Sequence, residues 1–406
     1  MKTIGIYAYI DSNLSVVGGI EAQVFHLALT LEKLDFNVVI HCLKSTKTGL
    51  SFQKQHFVFQ TEVKKLSQNI QIISPNTCFD FDKAIQENIR LSKQENEDII
   101  FSFDTRDGYI SSITKFVKEE LSIPLITFVY FTTEERWWRS HFIEKSKNTY
   151  YRTTQNEQNQ YLLNKEEVLQ NILHISDLII VPTHYVKGQI ITNTGFKYGD
   201  KIKICYHGIP ETQGFNTKWK NIRTFLYASR MSVPISCDKG FLWALETFYN
   251  MPDTLYVCGA GNFQNIMPDF SSSNIHFNGL ISQKELFQIM EDCSFALVPS
   301  MMEAGCTFAI ECASHNCLPL ALDFAGLAEI MEAIGLEDYL LSPQKHYLTD
   351  DLFTFIPNTD KFNQMLCSID EKKVNCDLKK AQQIIASKYT VTKTTNKLLQ
   401  LIQEHL

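Results

Sequence analysis

The sequence contains no C-x-x-C pair and no G-x-G-x-x-G. It has no apolar run near the roughly 18 to 20 residues a membrane span needs, and no excess of positive charge. Each absence excludes something. The eleven cysteines are odd in number, and Cys306, Cys312 and Cys317 lie together in sequence with no His or Cys at zinc spacing. A disulfide framework or a metal centre is therefore not expected; such cysteines serve as small buried hydrophobes in a reducing compartment. The formal net charge of -7 argues against nucleic acid as the main partner. The opening "MKTIGIYAYIDSNLSVVGG" carries a short apolar run that is interrupted by Tyr, closed by Asp11 and followed by no A-x-A site. It reads as a first buried strand rather than a leader. The expectation is a cytoplasmic protein, with any membrane contact peripheral and at the inner face.

What is present is alternation. The 406 residues, 44 % hydrophobic and 20 % charged, are enough for two or three domains. Short apolar runs such as "TIGIYAYI", "NVVIHC", "DIIFSF", "PLITFVY" and "LIIVPT" are strand-like. Helical patterns, including Lys83–Lys93 and Asp107–Glu119, lie between some of them. After "KIKICYHGIP" a polar stretch intervenes, and the alternation restarts with "TFLYAS". This is the pattern of doubly wound parallel sheets. It predicts an N-terminal Rossmann-like domain over 1–210 and a C-terminal one over 222–385. A terminal amphipathic helix over 386–406 is expected to pack back toward the first domain. The polar and aromatic stretch over about 131–164 does not fit simple alternation, and a connection of that length is usually functional or mobile.

Open α/β sheets bind ligands beyond the carboxyl ends of their strands, so the residues there matter most. Gly18 and Gly19 follow the first strand and precede a helix, where backbone can approach an anion closely; a plain turn pair has the same appearance. Arg230 follows the first strand of the second domain, and Lys239 opens the next helix. Together they suit a diphosphate, Arg gripping two oxygens and Lys adding a point charge, although a solvated basic surface also fits. After "FALVP" come Glu303, Gly305, Cys306 and Thr307, then a helix carrying Glu311. Carboxylates accept readily from adjacent sugar hydroxyls. Were the stretch a single helix, the two glutamates would stand about 12 Å apart, beyond the roughly 5 to 9.5 Å of hydrolytic carboxylate pairs. The histidines at 26, 141, 184 and 207 read as structural or surface groups.

These segments resemble the retaining glycosyltransferases of family 4. The resemblance runs over most of the chain and is most specific in the E-x7-E pair, Glu303 and Glu311, within "VPSMMEAGCTFAIECASHNCLPLALDFAGLAEIM". It implies an α/β protein of the GT-B fold, two Rossmann-like domains with parallel doubly wound sheets facing across a cleft. It implies transfer of a hexose or N-acetylhexosamine from a nucleoside diphosphate sugar, UDP-sugar favoured, to a cell-surface polysaccharide, glycolipid or protein acceptor. By resemblance Arg230 and Lys239 bind the diphosphate, Glu311 the ribose and Glu303 the donor sugar. Gly279, Leu280 and Ile281 border the base. Amides at Gly18, Gly19 and Gly305 to Thr307 approach the phosphates or sugar. No metal or other cofactor is implied.

The family often has a His beside the donor sugar in the first domain. This chain has Asp104 after "DIIFSF" and Tyr130 after "PLITFV" instead. One of these takes over part of the role, or the activity is altered. Gly305 and Cys306 stand where the family often has Phe-Gly. Trp137 and Trp138 could dock an acceptor or a membrane face, or simply pack on the first domain. Rival readings are a sugar-nucleotide epimerase on the same fold and a catalytically silent GT-B partner subunit.

Overall fold

The structure is a computed structural model that describes residues 2–8, 10, 19–43, 62–74, 81–103, 109–130, 142–146, 149–152, 167–211, 218–229, 239–259, 272–347 and 353–406. Its strands β1 (Thr3–Ala8), β5 (Ile99–Phe103), β6 (Leu125–Phe128) and β9 (Leu178–Val181) are buried at every position. That is the behaviour of parallel strands covered on both faces, and it explains their unbroken apolar runs. They join β2 (Asn37–Cys42), β3 (Glu62–Lys65), β4 (Ile70–Ser74) and β10 (Ile202–Ile204) in one eight-stranded sheet of order β10-β9-β6-β5-β1-β2-β4-β3. Only the edge strand β3 runs antiparallel. The order reverses between β1 and β5, which places the topological switch point at their carboxyl ends.

Helices α1 (Gly19–Lys33), α2 (Phe81–Glu95), α3 (Tyr109–Leu121), α4 (167–175) and α5 (His184–Thr194) accompany this sheet. The segment over 131–164 contributes an antiparallel pair, β7 (Phe142–Ser146) with β8 (Thr149–Arg152); its remainder lies outside the described residues. Beneath the sheet a buried carboxylate is fully engaged. Glu97 accepts from the Tyr7 hydroxyl at 3.2 Å and the Ser92 hydroxyl at 2.6 Å, and bonds His41 Nε2 at 2.6 Å. The Tyr7 and His41 rings stack at 4.0 Å. Gly5 lies against the Glu97 carboxylate and leaves no room for a Cβ.

The second sheet has six parallel strands in the order β13-β12-β11-β14-β15-β16. They are β11 (Thr224–Ala228), β12 (Thr254–Cys258), β13 (Ile275–Gly279), β14 (Phe295–Val298), β15 (Leu318–Leu322) and β16 (Leu340–Leu341). Here the order reverses between β11 and β14. Helices α6 (Phe241–Tyr249), α7 (Gln283–Asp292), α8 (Thr307–Ser314) and α9 (Ala325–Ala333) follow β11, β13, β14 and β15 in turn. The start of α7 is set by a capping box, Ser282 with Glu285, which satisfies two otherwise orphaned amides. A hairpin, β17 (Pro343–Tyr347) with β18 (Phe353–Pro357), precedes α10 (Thr359–Ser368), α11 (Glu371–Lys388) and α12 (Val391–His405).

The chain then returns. Leu398, Leu401 and Ile402 of α12 sit in the same core as Ile4, Ile6 and Val24, each burial contributing roughly 1.5–3 kcal/mol. The outgoing and returning segments run side by side. Ile209 N donates to Tyr389 O and Val391 N to Ile209 O, both at 2.8 Å. Gly208 sits where a Cβ would come within 2.7 Å of Val391 Cα, so the crossing requires glycine.

Among the described residues no helix is long and apolar enough to cross a membrane.

Candidate functional site

The second sheet's switch point is built by close packing around Pro299. Gly240 adopts φ +66°, and a Cβ there would meet the Pro299 carbonyl oxygen at 2.5 Å. Glycine is required on both counts. This contact presses the start of α6 onto the end of β14 and brings Lys239 to the loop that follows. The Lys239 ammonium lies 2.7 Å from Glu303 Oε1 and 3.0 Å from Met302 O. Tyr227, in β11, donates its hydroxyl to Lys239 O at 3.2 Å. Lys239 and Glu303 are each about one-fifth exposed, 20 % and 21 % by side chain, so both remain open to a ligand.

The stretch between the two glutamates is not one helix. Glu303 lies in the turn after β14, and Glu311 lies inside α8. The straight-helix separation therefore does not describe the pair. Glu311 keeps some accessible area but stands in dense protein, and desolvation pushes its carboxyl up to about 7. Cys306 takes the N-cap position of α8, with no side-chain capping bond. It is buried, and burial pushes its thiol well up. It stands within electrostatic reach of Glu303, Lys239 and Glu311, so the fold gathers these three around one thiol. Thr307 opens α8. The Ser300 hydroxyl nearby is buried and without a partner among the described residues.

Other expected residues lie on separate elements or outside the described residues. Gly279 ends β13 with φ +65° and open space around it, and Leu280 beside it is 62 % exposed. Ile281 is half-buried against the core beside Leu226 and Met290. Gly19 opens α1. Gly18, Asp104, Trp137, Trp138 and Arg230 fall outside the described residues.

The two domains meet directly at the loop after β14. A Cβ on Gly305 would stand 2.8 Å from Pro182 Cβ and 3.8 Å from His207 Nδ1. The His207 ring meets Tyr130 edge-on at 4.7 Å. Burial pushes the His207 imidazole down to about 4 and the Tyr130 hydroxyl up, so both are neutral at pH 7. Tyr130 and His207 border a cavity of about 40 Å3 that also reaches Gln23, Cys205 and Thr395. His207 Nε2 is buried and has no partner among the described residues. His207 had read as a structural or surface group. A His directly ahead of Gly208 was visible in the sequence, but nothing local marked it as interdomain.

No family model and no curated protein matches the sequence. Solved structures match over its whole length. Sucrose-phosphate synthase from Thermosynechococcus elongatus superposes with a TM-score of 0.71 at 13 % identity, covering 100 % of this chain and 99 % of that one. A variant of S. aureus TarM in complex with fondaparinux, alpha-GlcNAc-glycerol and UDP gives 0.63 at 11 %, covering 99 % of each. The catalytic domain of starch synthase IV from Arabidopsis thaliana, bound to ADP and acarbose, gives 0.60 at 12 %, covering 100 % and 99 %.

The chain has the GT-B fold.

At these identities the likeness carries architecture and not substrate. Within the GT-B frame, Lys239, Glu303, Cys306 and Glu311 belong to the second domain, at the switch point of its sheet. Tyr130 and His207 belong to the first domain and approach from the opposite side.

Proposed function

We propose that the protein is a retaining, metal-independent glycosyltransferase that moves a hexose or N-acetylhexosamine from a nucleoside diphosphate sugar, with UDP-sugars favoured. One observation carries the reading. A lysine and a glutamate form a partly exposed ion pair, at 2.7 Å, at the switch point of the second sheet of a GT-B fold. A diphosphate bound there meets the Lys239 ammonium, and a donor sugar meets Glu303. Glu311 accepts from the ribose hydroxyls, Gly279 to Ile281 border the base, and amides of Gly18, Gly19 and Gly305 to Thr307 face phosphate or sugar. Arg230 completes the diphosphate grip.

Lys239 and Arg230 neutralise charge developing on the leaving diphosphate, which makes a metal unnecessary. The acceptor hydroxyl attacks on the leaving-group face, through an oxocarbenium-like state, and the departing phosphate takes up the proton. Asp104 and Tyr130 flank the acceptor side, with Trp137 and Trp138 as further acceptor contacts. Closure of the domains excludes water. The acceptor is a cell-surface polysaccharide, glycolipid or protein. The setting is cytoplasmic, with peripheral contact at the inner face of the membrane as the route to a membrane-bound acceptor.

The test is calorimetry with UDP- and GDP-sugars. Binding of one nucleotide in the micromolar range is expected. No binding at millimolar concentration overturns the reading. Turnover of the donor into an isomeric sugar nucleotide without acceptor would replace it with an epimerase.

A further inference from the structure

Glu329 lies on α9 in the second domain, yet its carboxylate bonds the first. His184 N donates to Oε1 and Tyr185 N to Oε2, each at 2.8 Å, and the Tyr206 hydroxyl donates to Oε1 at 2.7 Å. His184 and Tyr185 open α5, so Glu329 satisfies two amides that the helix itself leaves unpaired. A carboxylate there also faces the positive end of the helix dipole. The next amide, Val186 N, donates to Thr183 Oγ1 at 3.3 Å. That same hydroxyl donates to Ala304 O at 2.6 Å, in the loop carrying Glu303.

The bonds close on themselves. From Ala304 the path crosses Thr183 to the first turn of α5, then Glu329, then along one turn of α9 to Gly326. Gly326 N donates to Glu303 O at 3.1 Å, which adjoins Ala304. Gly326 is packed so tightly that a Cβ would fall 2.7 Å from Glu303 O and 2.6 Å from Ala304 O. Ala325 beside it holds φ +56°, a left-handed conformation costing an L-residue about 1–2 kcal/mol. The backbone beside the Glu303 side chain is thus gripped at two successive carbonyls, Glu303 O from the second domain through Gly326 and Ala304 O from the first domain through Thr183.

The geometry points to Glu329 as a positioning residue that ties the seating of the two domains to the placement of Glu303. It touches no reacting atom. It holds the first domain against the loop that presents the donor-sugar carboxylate, and that loop adopts its geometry only while the ring is closed. The inference rests on the reading of Glu303 as the donor-sugar ligand. It adds the means by which domain seating reaches the sugar but not the nucleotide.

The experiment uses the full chain with Glu329→Gln and, independently, Thr183→Val. Gln keeps the size but loses the charge and one acceptor; Val keeps the shape but loses the hydroxyl. Amide hydrogen exchange is followed in the peptide spanning 324–328, which contains Gly326. Affinities for UDP and for the best UDP-sugar are measured by calorimetry. The expected result is at least tenfold faster exchange at Gly326 in both variants, although Thr183→Val changes nothing on α9. UDP affinity is expected to hold while UDP-sugar affinity falls about tenfold, the effect of losing a hydrogen bond to a charged group. Unchanged exchange at Gly326 in Thr183→Val overturns the inference. An equal fall in UDP and UDP-sugar affinity also overturns it, because a general loss of structure produces that. The exchange arm needs no substrate. If the wild-type chain binds no nucleotide, the transferase reading fails while the ring is still judged on exchange.

Discussion

The Lys239 ammonium is shared between Glu303 Oε1 at 2.7 Å and the Met302 carbonyl oxygen at 3.0 Å. One cation thereby fixes both the side chain and the backbone of the loop after β14, from a position still one-fifth exposed. The two partners are expected to separate by substitution. Lys239→Met removes charge from the diphosphate site and should weaken UDP binding by about tenfold or more, given about 1.5–3 kcal/mol for a hydrogen bond to a charged group. Glu303→Gln should leave UDP affinity within about twofold and lower the turnover of UDP-sugar. Titration of both variants with UDP checks this, and transfer unaltered in Glu303→Gln removes Glu303 from the sugar site.

Glu311 makes donor binding depend on pH. Its carboxyl is raised from 4.5 to about 7 by desolvation, so the folded chain holds a proton that the unfolded chain has released. Stability from this group is full below about pH 4.5, falls as pH rises to 7, and is flat above. Sugar hydroxyls donate to the ionised form. Nucleotide binding at pH 7 should therefore release about half a proton, and almost none at pH 8.5. Calorimetry in two buffers of different ionisation enthalpy measures the release, which Glu311→Gln should abolish.

Two glycines should respond oppositely to alanine. Gly188 lies exposed in α5 with nothing near a new Cβ, so Gly188→Ala should stabilise the protein by about 0.5–1 kcal/mol. Gly305→Ala places a Cβ 2.8 Å from Pro182 and should destabilise by about 1–3 kcal/mol. The second variant should also weaken the seating of one domain on the other, visible as a larger radius of gyration in solution scattering. Identical scattering from the two variants would remove Gly305 from the interface.

The buried network under the first sheet should be unforgiving. Glu97→Ala leaves the Tyr7 and Ser92 hydroxyls and His41 Nε2 without their acceptor, and His41 Nδ1 already lacks a partner among the described residues. A loss of about 3–5 kcal/mol is expected, measured by urea unfolding. A loss below about 1 kcal/mol would show that relaxation or water replaces the carboxylate.

The central strands of both sheets are legible because burial on two faces writes itself as a continuous apolar run, as in "IIFSF" and "FALV". The helical patterns Lys83–Lys93 and Asp107–Glu119 fall within two residues of the observed helices Phe81–Glu95 and Tyr109–Leu121 at each end. The edge strand Glu62–Lys65 and the hairpin Pro343–Tyr347 with Phe353–Pro357 were not read. They are short and polar, and their pairing is set by neighbours rather than by local pattern. The Lys239–Glu303 pair was legible only as two residues in suitable places, 64 apart. Glu329, Thr183 and Tyr206 left no signal at all. Their bonds span 121 to 145 residues, and a glutamate on a helix is ordinary until its partners are known.

The return of α12 to the first core fixes an order of events during synthesis. Residues 2–211 leave the ribosome first, but Leu398, Leu401 and Ile402 of the same core emerge only after the whole second sheet. The second domain can therefore close while the first still exposes the apolar face that α12 will cover. Because Val374, Leu378, Ala381, Ile385 and Tyr389 belong to the second domain's core, a chain ending between Tyr389 and Val391 should hold a finished second domain beside an unfinished first one, and should aggregate through that open face.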